Sequence, residues 1–164
     1  MPTYHRETWV DAPIEEVWDF HSQITGLTAL TPGFMNLEVE RVVGPDGEDD
    51  PGILEVGARI EMAMRPLSVA PRQSWTSVIT HRESDLDAGR AVFRDTMEDG
   101  PFPRWEHTHR FYEGDDGETL VSDRLVYDLP GGPLGNLVAP LSGPVGFAPM
   151  FHYRHRETKR QFEG

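Results

Sequence analysis

The chain of 164 residues contains no cysteine. A disulfide scaffold, a zinc–thiolate site and a cysteine nucleophile are therefore excluded. Lysine is nearly absent: of 15 basic residues Lys159 is the single lysine, and the rest are arginine. No apolar run exceeds a few residues, so no membrane span is expected. The opening MPTYHRETWV has no basic start followed by an apolar stretch. No signal peptide is expected, and a cytoplasmic location is. No Gly-Lys-Ser/Thr follows a glycine-rich stretch, which excludes a phosphate-cradling loop. No Gly-x-Ser-x-Gly elbow is present for a hydrolase triad.

Acid is in excess. Asp plus Glu total 28, giving a formal charge of −13. Such a surface repels phosphate backbones, so no nucleic-acid partner is expected. Acid excess with scarce lysine fits a salt-laden cytoplasm, where salt screens self-repulsion, and a haloarchaeal source is expected. A high-GC genome rich in arginine codons would leave the same shortage of lysine. The length suits one domain over 1–164, with enough burial for a core.

Residues 3–10 read as a strand, rich in Tyr, Thr, Trp and Val. Asp11-Ala12-Pro13 ends it, with Asp11 as a helix cap and Pro13 in the first turn. Ile14, Val17, Trp18 and His21 follow at helical spacing. A second short helix is expected around Thr25–Thr31, then a strand over Leu37–Val43. The acidic stretch 44–52 reads as a mobile loop.

Strand follows strand through the middle. Ile60, Met62 and Met64 alternate with charged residues. Trp75, Ser77, Ile79 and His81 share one side of the next strand, and Phe93, Asp95 and Met97 one side of another. Trp105, His107, His109 and Phe111 share a face, as do Val121, Asp123, Leu125, Tyr127 and Leu129. EGDDGE (113–118) is a hairpin turn. These strands imply an antiparallel sheet. Pro130 to Pro149 is too proline-rich for one unbroken helix. After Pro149, Phe151, His155, Thr158 and Phe162 form a helical stripe. The fold class is α+β: strand, two short helices, a long antiparallel sheet, a final helix. A curved sheet must have that helix cover its concave face, and such a pair can enclose a small molecule.

Several segments resemble one superfamily. WVDAPIEEVWDF carries an extended strand, then Ala-Pro, then Glu-Glu-Val-Trp on the first helix. LTALTP follows where a second helix belongs. RDTMEDGPFPRWEHTHRF, SDRLVYDLPGGPLGNL and MFHYRHRETKRQF come in order after them. Together they resemble the START/SRPBCC helix-grip superfamily, also called polyketide cyclase/dehydrase-like, over residues 3 to 163. The closer likeness is to a ligand-binding subfamily related to the domain fused to epimerase-like chains labelled cell-division inhibitors. The resemblance implies six to seven strands wrapped around a long C-terminal helix, with a hydrophobic cavity between them. It implies no single chemistry, since lipid carriers, hormone receptors, cyclases and oxygenase domains share the fold. Pro140, Pro144 and Pro149 depart from an unbroken final helix.

His107 and His109, with Asp95 and Asp123 on neighbouring strands, are the candidate catalytic residues. They could bind a metal, form an acid/base pair, or simply line the polar end of a pocket; neither metal nor cofactor is taken as required. The expected ligand contacts are Met62, Met64, Trp75, Ile79, Phe93, Asp95, Trp105, His107, His109, Asp123, Tyr127, Phe151 and His155. Methionine and aromatic walls suit an adaptable pocket. Arg154 is read either as an anchor for an anionic head group or as the partner of a sheet carboxylate. Three functions stay open: binding a small hydrophobic, lipid- or polyketide-like molecule; a cyclase or dehydratase using His/Asp acid–base groups; or a protein-interaction module with a filled interior. The oligomeric state is not legible.

Overall fold

A computed structural model describes residues 2–69, 71–135 and 147–163. Strand β1 (Thr3–Val10) is followed by helices α1 (Ile14–His21) and α2 (Ile24–Ala29). Then come β2 (Glu38–Val43), β3 (Arg59–Met64), β4 (Gln73–Asp85), β5 (Arg90–Glu98), β6 (Arg104–Glu113) and β7 (Thr119–Asp128). Helix α3 (Ala148–Glu163) closes the described chain. The seven strands form one sheet in the order β1-β7-β6-β5-β4-β3-β2, and every neighbouring pair is antiparallel. No helix among the described residues is long and apolar enough to cross a membrane.

Alternation places one set of side chains inward. Ile60, Met62, Ile79, Phe93, Phe111 and Val121 are buried and join Val17 and Trp18 of α1 in the main core. Trp18 packs edge-on against Phe111, with ring centroids 5.5 Å apart. Helix α3 lays Phe151, His155 and Thr158 against the sheet. Phe151 is fully buried and stacks on Tyr4 of β1 at 5.2 Å. Phe162 meets Phe20 of α1 edge-on at 5.5 Å.

Three local expectations are corrected. Asp11 caps nothing: Pro13 holds the N-cap position of α1, without a side-chain cap. Its rigid, extended backbone starts the helix by geometry alone. Helix α2 starts one residue before Thr25 and ends at Ala29. His81 leaves the inward face because the β4–β5 register shifts between Ile79 and His81. A one-residue bulge inverts parity beyond it, so Arg82 turns inward instead. The Arg82 guanidinium lies 4.6 Å from the Trp18 ring centroid and bonds Ser22 Oγ at 2.9 Å. The acidic loop folds back on itself, with Gly44 N–H donating to Glu48 O (2.8 Å) and Asp50 N–H to Val42 O (3.0 Å). Pro149 is the second residue of α3. Pro140 and Pro144 lie outside the described residues.

Candidate functional site

Sheet register assembles the polar centre of the concave face. Asp95 stands opposite His107 across β5 and β6, and Asp123 stands opposite His109 across β6 and β7. Opposed residues on one face lie about 5 Å apart at Cβ, within side-chain reach. The hydrogen bonds also run diagonally. His107 Nε2 donates to Asp123 Oδ1 (2.7 Å). His109 Nε2 donates to Asp95 Oδ2 (2.9 Å), and His109 Nδ1 lies 3.1 Å from Asp123 Oδ1. His155, on α3, donates from Nε2 to Asp123 Oδ2 (2.5 Å). Asp123 thus accepts from three imidazoles.

Protonation follows from these partners. A carboxylate only accepts, so placing both nitrogens of His109 beside carboxylates favours its protonated form. Burial opposes that charge, but the bonds to Asp123 and Asp95 outweigh it and raise the pKa of His109. Phe93 stacks on this ring with centroids 3.9 Å apart. Burial would raise both carboxyls. Hydrogen bonds from the histidines reverse the sign and hold Asp123 well below the usual carboxylate range. Asp95 is likewise lowered, by the His109 bond and the charge of His107. His107 is lowered by burial and then by the neighbouring His109, against the pull of Asp123. Its Nδ1 has only Asp95 Oδ2 nearby, at 3.9 Å, beyond hydrogen-bonding reach.

Asp95, His107 and His109 line a cavity of about 380 Å³ between the sheet, α2 and α3. Of the ligand contacts expected from sequence, Met62, Met64, Trp75, Ile79, Phe93, Asp95, Trp105, His107, His109 and Phe151 are on its wall. Asp123, Tyr127 and His155 are not among its lining residues. Asp123 and His155 are occupied with one another, and Tyr127 packs on Phe147 at 4.7 Å. The wall also includes Leu27 and Leu30 from the α2 region, Met35, Leu37 and Leu54, which the strand parity could not reveal. The signal was present as apolar residues three apart in LTAL. His21 is a further wall residue; burial pushes its pKa down to about 3, and its Nδ1 bonds the Val17 carbonyl at 2.8 Å.

Arg154 reaches the same wall from α3. Among the described residues its side chain has no hydrogen bond or ion pair, and its Nε is buried without a partner. Neither sheet carboxylate is bonded to it. Pro101 and Phe102 of the GPFPRW loop also touch the cavity.

Residues 10–147 match the family model described as polyketide cyclase / dehydrase and lipid transport. The chain belongs to that family. No curated protein matches. Solved structures share the fold of this family member at low identity. A START superfamily protein from Mycobacterium smegmatis superposes with a TM-score of 0.65 at 12% identity, covering 99% of this chain and 98% of that one. Protein TTHA0849 from Thermus thermophilus gives 0.62 at 20% identity, over 96% and 97%. Norcoclaurine synthase from Thalictrum flavum gives 0.60 at 18% identity, over 94% and 84%. At such identities the likeness shows the helix-grip fold alone. That fold is the one the sequence motifs implied, with a seven-stranded antiparallel sheet and a long C-terminal helix.

Proposed function

We propose that this protein binds a small, mainly apolar molecule between the sheet and α3, with the molecule's polar end against His107, Asp95 and Arg154. One observation carries the reading: the sheet and helix leave a cavity of about 380 Å³ whose wall is mainly methionine, leucine and aromatic side chains, with Asp95, His107, His109 and Arg154 among its polar lining. That volume and lining suit small-molecule sites. Burying about 200–300 Å² of apolar ligand surface contributes roughly 5–8 kcal/mol before ordering costs, consistent with micromolar affinity. The interaction-module reading calls for a filled interior, and the cavity supports ligand binding over it.

The polar end has defined chemistry. His107 spends Nε2–H on Asp123, so Nδ1 is the nitrogen left to accept from a guest hydroxyl. The Arg154 guanidinium, without a carboxylate partner, is available to a guest oxygen. The same pair supports a second reading, cyclase- or dehydratase-type turnover, in which His107 Nδ1 removes a proton beside a carbonyl and Arg154 holds the developing oxyanion.

Native mass spectrometry of the purified protein, followed by solvent extraction, tests the binding reading. A co-purifying apolar molecule, or uptake of an apolar fluorescent probe that it displaces, is expected. Failure of the folded protein to take up any apolar probe overturns it. For the second reading, His107→Gln should abolish turnover of a substrate identified this way while the protein still binds it.

A further inference from the structure

We propose that Asp95, His107 and His109 form a binding site for a divalent transition-metal ion, with Asp123 as the carboxylate that orients both imidazoles. The proposal rests on these side chains and not on the identity of the guest; with an ion on His107 Nδ1, a guest oxygen would meet the ion or Arg154 in place of that nitrogen.

The ring nitrogens divide into an anchored pair and a converging pair. A metal-ligating histidine characteristically donates its other ring N–H to a carboxylate, which sets the tautomer and the ring orientation. Asp123 Oδ1 supplies that anchor twice, to His107 Nε2 at 2.7 Å and to His109 Nδ1 at 3.1 Å. His155 braces the same carboxylate from α3 through its other oxygen. The remaining nitrogens, His107 Nδ1 and His109 Nε2, are the two that turn toward Asp95, at 3.9 and 2.9 Å from its Oδ2. One donor atom from each of Asp95, His107 and His109 lies within 4.8 Å of the others.

Size and charge fit an ion. Ligands about 2.1 Å from one metal sit about 3.0–3.4 Å apart for octahedral or tetrahedral angles. The His109–Asp95 separation already matches. The His107–Asp95 distance must shorten by roughly half an ångström, and Asp95, whose side chain keeps 17% exposure against 5–8% for the histidines, is the member with room to move; the two imidazole donors, within 4.8 Å of each other, must draw together on the ion. Asp95 and Asp123 bring two negative charges into the interior. In this structure a hydrogen on His109 Nε2 bridges to Asp95; a divalent ion would replace that hydrogen and offset both carboxylates. Two imidazoles and one carboxylate suit zinc or ferrous iron better than calcium or magnesium, which prefer all-oxygen sites. Asp95, His107 and His109 all line the cavity, so the ion's open positions would face a guest or water.

The probe is the metal alone. Chelator-stripped full-length protein, in high salt to silence its surface carboxylates, is titrated with Co²⁺ and followed by visible absorption, then back-titrated with Zn²⁺. One equivalent bound at micromolar concentration, displaced by Zn²⁺ and weakened about 100-fold in Asp95→Ala, is the expected result. Should Asp95→Ala fail to fold, Asp95→Asn keeps an acceptor for His109 while removing the charge, and the same weakening is expected. No uptake of either ion by the native protein overturns the proposal. So does uptake that the Asp95 substitution leaves unchanged, which would place the ion elsewhere.

Discussion

His155 Nε2 lies 2.5 Å from Asp123 Oδ2, joining the C-terminal helix to β7 by one buried, charge-assisted bond. The contact links residues 32 positions apart. It completes the set of three imidazoles around one carboxylate.

Removing the hub should be costly. Asp123→Ala leaves His107, His109 and His155 with buried donors and an uncompensated charge. Loss of about 3–5 kcal/mol is expected, read from urea unfolding at pH 7. A change below about 1 kcal/mol would mean that the cluster is solvated. In a double-mutant cycle, Asp123 and His155 should couple by about 1 kcal/mol or more.

Stability should fall in acid from the side of His21. Its folded pKa is depressed to about 3, whereas the unfolded residue titrates near 6.5. Its contribution is full above pH 6.5. It shrinks as the pH drops toward 3, because the unfolded chain takes up a proton the folded one refuses, by up to about 1.4 kcal/mol per pH unit. Asp95 and Asp123, also depressed, add their own loss below about pH 4. His109 acts oppositely: its raised pKa contributes fully below about 6.5 and is lost as pH rises through the folded value. Unfolding free energies at pH 7, 5.5 and 4.5 should decline less steeply for His21→Leu than for the native protein. Parallel curves would remove His21 from the account.

Filling the cavity should separate binding from folding. Met62 is buried and on the cavity wall. Met62→Trp puts an indole into the void, so uptake of an apolar probe should drop about tenfold or more, a loss of ~1.4 kcal/mol. The stability penalty should stay within about 1–3 kcal/mol. Undiminished uptake would locate the guest elsewhere.

Gly26 allows α2 to pack on α1. A Cβ there would run into the Phe20 carbonyl oxygen, a backbone atom that cannot swing away. Gly26→Ala should destabilise the protein by about 1–3 kcal/mol through overpacking, although alanine is the better helix former. Thermal unfolding of this variant against Gly33→Ala, where a Cβ meets nothing within 4 Å, isolates the steric effect.

Much of this arrangement was legible in the residue pattern. Period two placed Asp95, His107, His109 and Asp123 on one face, and the register then put them side by side. The same rule failed at His81, because a bulge costs one residue and leaves no reliable mark in a single sequence. It also could not rank the polar residues. Asp123 and His155 looked like cavity contacts, yet they are engaged with one another away from the wall. Arg154 had two readings, and among the described residues it has no carboxylate partner.

Composition and periodicity alone determined the acidic surface, the absence of thiol chemistry, the order of strands and helices, and which side chains share a face. Those properties depend on local backbone geometry and on counting. Which imidazole meets which carboxylate, which nitrogen is left free, and whether α3 closes on packed side chains or on open space were decided only by the tertiary fold. They depend on distances between residues far apart in the chain, and ångström-scale differences there separate a hydrogen bond from a ligand site.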